Sequence, residues 1–483
     1  MTVSAVALPI KSARWAALAL IVAAQFMVVL DMSIVNVALA SIASHLHFSS
    51  SGLQWVVSAY ALTFGGFLLL GGRLADLLGR RRLFITGIVL FTLASMLCGI
   101  AWSPAALVVF RAVQGVGGAL FAPAGLSLLM TTFAEGRQRN LALGIWGAAS
   151  GTGAAVGVLL GGLLTSSFNW PWIFYINVPV GLAVALLAPR HLDESRVENA
   201  VRHFDIAGAT TVTASLMSLV FALTKATTDG WGSTTTIVGL VASAVLLAAF
   251  VAAEQRAASP LLPFAAFRGN TLGIGALITT IISSIGFAQF FLLTLYLQDV
   301  LHYSAMRTGL AFAAIAVTVA ITSNVAQRLV TSLGPRRVLA SGLLASAIAE
   351  ALLIRLPTHG SYVTDLLPSF ILIGLGIGAG FVAVTIASLQ GVAPAHAGVA
   401  SGLVNTSRQV GGAVGLAAMT TVASLVAGSS ASANAVVHGD HVAFGILAVL
   451  ALAGAAITPI LRPHREHRPK TVVEYDAAFQ EAA

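Results

Sequence analysis

The sequence predicts an all-α integral membrane protein with fourteen transmembrane helices, and three observations predict it. Apolar residues make up 58% of the 483 residues and charged residues 9%, against about 25% charge in a soluble domain. Apolar runs of about 20 residues recur with short interruptions, and each is long enough to cross a bilayer. The basic residues crowd into alternate interruptions, as the positive-inside rule requires of a correct span count.

The spans fall near 15–38, 53–71, 83–102, 104–125, 140–164, 171–189, 205–224, 233–253, 271–294, 308–328, 337–355, 365–389, 399–427 and 441–461. Lys11 and Arg14 precede the first, as in a signal peptide, but the run is too long for one and contains Asp31, so it reads as a retained helix. With both termini cytoplasmic, the outside segments hold only three basic residues, Lys225, Arg307 and Arg355. Arg111 and Arg408 lie inside spans, and the other twenty of the 25 basic residues fall inside the cell. The net charge of +8 is therefore a matter of topology and lipid headgroups, not of nucleic acid. The single cysteine, Cys98, excludes an internal disulfide and reads as a packing residue. His45, His47, His438 and His441 read as outside-loop residues, and no metal site is expected. The three lysines never follow glycine, so there is no phosphate-cradling loop of an ATP-driven pump.

The same order of elements occurs twice. Arg328 to Arg337 echoes Arg73 to Arg82 at an offset of 255, Gly402, Gly411 and Gly415 echo Gly144, Gly153 and Gly157 at 258, and Gly376-Ile377-Gly378 echoes Gly115-Val116-Gly117 at 261. Two homologous six-helix halves follow, with two spans inserted between them. The expected organisation is a cytoplasmic N-terminus (1–14), an N-terminal bundle (15–189), a mixed-charge linker (190–204), two inserted helices (205–253), a cytoplasmic loop (254–270), a C-terminal bundle (271–461) and a polar cytoplasmic tail (462–483). The second half has lost charge: Asp76 is matched by Thr331, and Arg111 by Leu372. The chemistry is expected in the first half.

Between spans two and three runs Gly71-Gly72-Arg73-Leu74-Ala75-Asp76-Leu77-Leu78-Gly79-Arg80-Arg81-Arg82. Its arginines belong on the cytoplasmic side, its glycines permit a tight reversal, and Asp76 suits the start of the next helix, where N–H groups lack partners. Asp31 is a carboxylate deep in span one, costly in hydrocarbon by about 2.5–3.5 kcal/mol on insertion scales and so in need of a partner or a role. Desolvation suits such an acid to reversible proton binding. It lies about 24 Å from the cytoplasmic end of its helix and Arg111 about 10 Å from the outer end of span four. Both depths fall in the outer half, so the two can pair. Span five carries Gly144, Gly147, Gly151, Gly153, Gly157, Gly161 and Gly162, a smooth face for close helix contact.

These stretches resemble a known family. The Gly71–Arg82 loop is similar to the loop signature of the major facilitator superfamily. Leu30-Asp31-Met32-Ser33-Ile34-Val35-Asn36 resembles the first-helix motif of its fourteen-span drug:proton antiporters. Arg111-Ala112-Val113-Gln114-Gly115-Val116-Gly117-Gly118 resembles the fourth-helix motif of proton-driven members, and Gly153, Gly157 and Gly161 resemble the antiporter motif, with Val158 in place of its usual proline. Trp170-Pro171-Trp172-Ile173-Phe174-Tyr175-Ile176-Asn177-Val178-Pro179 resembles a further family motif, read here as interfacial aromatics without a mechanistic role. Asn405-Thr406-Ser407-Arg408-Gln409 matches a motif of span thirteen.

The resemblance implies two pseudo-symmetric six-helix bundles plus two extra central helices, and a proton-coupled antiporter exporting amphipathic small molecules by alternating access. It implies proton coupling by Asp31 and Arg111, and gating by Gly72, Arg73, Asp76, Gly79, Arg80 and Arg81, with Asp76 against the start of span thirteen near Gly398. The cavity is expected to involve Gln25, Asn36, Gln54, Gln114, Phe287, Gln289, Phe290, Asn405 and Arg408. Glu350, with Arg355 nearby, reads as interfacial, a second titrating site being the alternative. No cofactor beyond the proton motive force is expected, and the partners are protons, a small-molecule substrate and the lipid of a bacterial inner membrane, around a monomer. A proton-coupled importer, or a membrane receptor or enzyme, remain as alternatives.

Overall fold

The computed structural model describes residues 10–48, 50–195, 205–257, 271–390, 392, 396–428 and 432–461. The predicted tail, most of the linker and most of the 254–270 loop lie outside the described residues. The helices are α1 (Ile10–Leu46), α2 (Ser50–Leu78), α3 (Arg80–Gly99), α4 (Pro104–Thr132), α5 (Arg137–Ser167), α6 (Trp172–Tyr175), α7 (Asn177–His191), α8 (Ile206–Asp229), α9 (Thr234–Arg256), α10 (Thr271–Leu295), α11 (Ala305–Leu333), α12 (Pro335–Leu353), α13 (Leu367–Leu389), α14 (Ala397–Ala427) and α15 (Ala433–Ile457). The chain is all-α, and among the described residues twelve helical stretches, one of them α6 and α7 taken together, are long and apolar enough to cross a membrane. The predicted fifth and eleventh spans correspond to α5 and α12, of which α12 carries Arg336, Arg337 and Glu350.

Local chemistry sets the helix starts. The side chains of Ser103, Asp205, Ser233, Ser304 and Ser432 each accept an N–H from the first turn that follows them, satisfying donors that the helix leaves unpaired. Several expected boundaries move. The sixth span is split at Ile176 into α6 and α7. Span four continues through Pro123 to Thr132. The last helix starts at Ala433, which puts His438 and His441 inside α15 rather than in an outside loop.

The two bundles share one hydrophobic core at the arginine-rich end, where Leu68, Leu129 and Trp146 of the first half join Val382, Leu389 and Val404 of the second. At the opposite end the core divides. One cluster draws only on residues from Leu30 to Phe174 and the other only on residues from Ile281 to Ala451. Gly162 on α5 and Gly286 on α10, towards that end, face open space. The molecule is thus closed at the arginine-rich end and open between the bundles at the other. Helices α8 and α9 pack on each other, with Met217 of α8 against Gly66 of α2.

Packing corrects the repeat register. Gly117 lies against the carbonyl of Gly87 and the backbone of Phe91, and Gly376 lies in the same way against Gly342 and Ser346. Helix α3 therefore maps onto α12 at an offset of 255, as expected, but α4 maps onto α13 at 259 rather than 261. Arg111 is matched by Phe370, not Leu372. Ser33 Oγ donates to the Gly153 carbonyl (3.5 Å) and Ser284 Oγ to that of Gly411 (2.8 Å), which maps α1 onto α10 at 251.

Candidate functional site

Asp31 and Arg111 form an ion pair, Nη1 to Oδ2 2.6 Å, with side-chain exposures of 0% and 1%. The α1 register that buries Asp31 is held by α5. Gly153, Gly157 and Gly161 bring that helix against Val29, Ser33 and Ile34, on both sides of the acid. A methyl at Gly161 would approach the Ile34 carbonyl within 2.9 Å. The glycine stripe is thus the contact face of α5 on α1.

The pair belongs to a saturated network. Asp31 Oδ1 accepts from Gln114 Nε2 (2.9 Å) and Asn177 Nδ2 (3.0 Å). Both amides also donate to Ser95 Oγ, at 3.1 Å each, and Ser95 donates to the Phe174 carbonyl at 2.9 Å. Arg111 donates to Gln114 Oε1 (2.6 Å) and, through Nε, to the Val56 carbonyl (2.9 Å). Its guanidinium stands 4.4 Å over the Tyr60 ring. Such charge-assisted bonds compensate the removal of both ions from water. Gln114, expected at the cavity, sits in this network with no exposure. Asn177 and Ser95 were missed as functional. Asn177 stood in the aromatic motif between Trp170 and Pro179, and its amide is what that motif contributes. Ser95 had no local signal.

The second constellation closes the arginine-rich end. Asp76 is wholly buried and accepts from Gly398 N (Oδ1, 3.1 Å) and Val399 N (Oδ2, 3.2 Å). It therefore caps α14 of the other bundle rather than α3, as the sequence alone suggested, because the chain reverses at Gly79 with φ of 107° and points α3 away. Arg80 chelates the same Oδ1 through Nε and Nη2, at 3.1 and 2.8 Å. Gly72 and Gly398 meet backbone to backbone, each leaving no room for a methyl beside the other's carbonyl. Arg73 is half-buried beside them. The start of α3 is capped instead by Glu194, whose carboxylate accepts the N–H groups of Arg81 (3.1 Å) and Arg82 (3.3 Å). Arg81 also donates to the Leu192 carbonyl.

The third constellation lies between the bundles. Arg408, about 16 Å along α14 from its start, stands over Phe381 (4.6 Å) and Trp146 (5.3 Å). Its Nη1 donates to Ser150 Oγ at 3.4 Å, which also accepts Gln25 Nε2 at 3.0 Å. Among the described residues it has no carboxylate partner. Asn36 is exposed towards the open end, with its amide on the Met32 carbonyl. Phe287 is 42% exposed and lies against Gly412, and Phe290 packs on Phe312. Gln289 and Asn405 are buried, the latter donating to the Ser401 carbonyl, so neither lines an open surface in this conformation. The Gln54 side chain lies outside the described residues.

A sequence profile described as Major Facilitator Superfamily matches residues 21–416. The chain belongs to that superfamily. As a superfamily member it is a multi-pass membrane transporter and not an enzyme. It is 41% identical to the puromycin resistance protein pur8 of Streptomyces alboniger, over 94% of this chain and 93% of the relative. It is 39% identical to the cephamycin export protein CmcT of Amycolatopsis lactamdurans, over 95% and 94%. The human organic anion transporter MFSD10 has the same fold, with a TM-score of 0.67 at 14% identity, covering 92% of this chain and 99% of that one.

Proposed function

We propose that this superfamily member is a fourteen-span, proton-coupled exporter of amphipathic small molecules, with both termini in the cytoplasm of a bacterial cell. The observation that carries the reading is the Asp31–Arg111 pair, an ion pair sealed in the N-terminal bundle on the helix that lines the cleft. Resistance and export proteins among its relatives supply the direction of transport.

The arginine-rich end is cytoplasmic by the positive-inside rule, so the described conformation is outward-open with its inner gate latched. Protonation of Asp31 removes the charge that Arg111 faces. Arg111 then loses its strongest partner, the α1–α4 contact loosens, and the balance between outward and inward states shifts. Asp76, Arg80, Gly72, Gly79, Arg73 and Arg81 serve as the inner gate, which opens when α14 leaves Asp76. Arg408, between two aromatic rings and beside Gln25 and Ser150, offers cargo a cation and flat apolar faces at mid-membrane. Asn36 and Phe287 face the entrance of the same cleft. Cargo and protons are the only traffic this scheme needs, and a single copy of the chain suffices.

Growth-inhibition panels with an inducible copy in an efflux-deficient bacterium identify the cargo. Inverted vesicles then show uptake of that cargo driven by an acidic interior. Asp31→Asn should abolish the gradient-driven component while the protein remains folded in the membrane. Undiminished uptake by Asp31→Asn, or by wild type after the pH difference is collapsed, overturns the reading.

A further inference from the structure

The second bundle contains a buried acid that the scheme above does not use. Glu350 on α12 was expected at the interface beside Arg355. Its side chain is instead completely buried, and among the described residues neither carboxylate oxygen has a hydrogen-bond partner. Arg355 is exposed.

The repeat register shows what this place is. Glu350 occupies in the C-terminal bundle the position that Ser95 occupies in the N-terminal one. Three positions that match members of the Asp31 network have become apolar: Ile282 stands for Asp31, Phe370 for Arg111 and Ile373 for Gln114, and all three are buried. At these positions the second half replaces both charges and the Gln114 amide with hydrocarbon, and it places a carboxyl where the first half has Ser95.

Among the described residues, no charge faces this carboxyl from the helices around it. Helices α10 and α13 carry no titratable residue. On α11, Arg307 lies at one end, over the Tyr303 ring, and Arg328 near the other. Arg336 and Arg337 start α12 at the arginine-rich end. Contacts of Ile354 with Gly445 and of Leu343 with Gly454 set α15 beside α12 so that Glu350 lies level with Leu447 and Ala448. The titratable residues of α15 (His438, Asp440 and His441) sit nearer the open end, with Asp440 and His441 about 10 Å away along the helix. His441 Nε2 lies 2.8 Å from the Leu356 carbonyl. Tyr296 and Tyr362 are bonded to the carbonyls of Pro357 and Ala311, and Asp365 to the N–H of Ser361. An ionised carboxylate without donors or a counter-charge is not tolerated in such surroundings, and the group takes up a proton instead.

We propose that Glu350 is a second proton-binding site, which holds an exchangeable proton independently of the Asp31–Arg111 pair. Asp440, buried and with one oxygen unpartnered, lies between Glu350 and the open end and marks the route by which the proton comes and goes. The bound form is the neutral acid. Its release leaves a carboxylate that only a conformation admitting water or a donor can accept. Occupancy of the site does not depend on the exporter reading; its use in transport does.

Infrared spectra of the full-length protein in lipid test occupancy directly. Wild type at neutral pH should show the carbonyl stretch of a protonated carboxyl that is lost in Glu350→Gln and retained in Asp31→Asn. The band should shift when the film is moved into D2O. Should Glu350→Gln fold poorly, Glu350→Asp keeps the test open, because the band then moves instead of vanishing. A spectrum without a band dependent on residue 350 means an ionised group and overturns the proposal. So does a band that never shifts in D2O, which marks a locked structural acid. Proton counts per cargo molecule in vesicles separate the two readings. Glu350→Gln should continue export with fewer protons per cycle, whereas loss of all proton-linked export in wild type refutes the exporter and leaves the infrared result standing.

Discussion

At the scale of single residues, the central asymmetry is between two buried acids. Asp31 has three donors, from Arg111, Gln114 and Asn177, and Glu350 has none. Removing one partner of a buried pair leaves the other charge uncompensated, at a cost of about 3–5 kcal/mol. Arg111→Ala should therefore lower the unfolding temperature in detergent more than Asp31→Asn does, because asparagine still accepts from Gln114 and leaves Arg111 its bonds to Val56 and Gln114. Adding Asp31→Asn to Arg111→Ala should recover part of the loss. Thermal unfolding of the three variants checks the order, and equal losses from both single substitutions contradict it. The acid and the base were legible in the sequence because charge within an apolar run is conspicuous. Ser95 and Asn177 were not, because small polar residues are common in helices and only the fold brings α3 and α7 to α1.

At the scale of elements, the two ends of α3 and α14 depend on caps supplied from far along the chain. Asp76 caps α14 across the bundle interface and Glu194 caps α3 from the end of the first bundle. The sequence places Asp76 in a loop after a span ending near residue 71, whereas α2 runs on to Leu78 and carries Asp76 in its last turn; the choice between α3 and α14 depends on the reversal at Gly79. Nothing local in the sequence linked Glu194 to α3, since the two are more than a hundred residues apart. Carboxylates at helix N-termini are favourable through both hydrogen bonding and the helix dipole. Only the Asp76 cap crosses between bundles, so the two substitutions should differ. Glu194→Ala should cost about 1 kcal/mol of stability with the gate still latched. Asp76→Asn, which loses the charge, should move the population towards the inward-open state. A spin-label pair on the arginine-rich ends of α2 and α14 should then report longer distances for Asp76→Asn and unchanged ones for Glu194→Ala.

At the scale of the whole molecule, the repeat converts a static structure into an expectation about motion. The core is continuous across the bundles at one end and divided at the other, so rocking about the shared core exchanges which end is open. The halves were visible in sequence through glycine echoes, yet those echoes gave the wrong partner for Arg111, because glycines repeat at short intervals and permit a slip of two residues. Contacts between backbones resolved the slip. With α1 mapped onto α10 at an offset of 251, Asn36 and Phe287 become equivalent positions, both exposed on helices that flank the open cleft. Closure about a pseudo-twofold axis brings equivalent positions towards each other. Cysteines at 36 and 287 should therefore cross-link when the outer end closes and remain apart in the outward-open state, while the native Cys98 stays silent because it is buried. Asp76→Asn in the same background, which favours the inward-open state, should raise the cross-linking yield, and the cross-link should arrest export until it is reduced. Equal yields with and without Asp76→Asn mean that the inner latch and the outer gate move independently, and that the two bundles do not rock as rigid bodies.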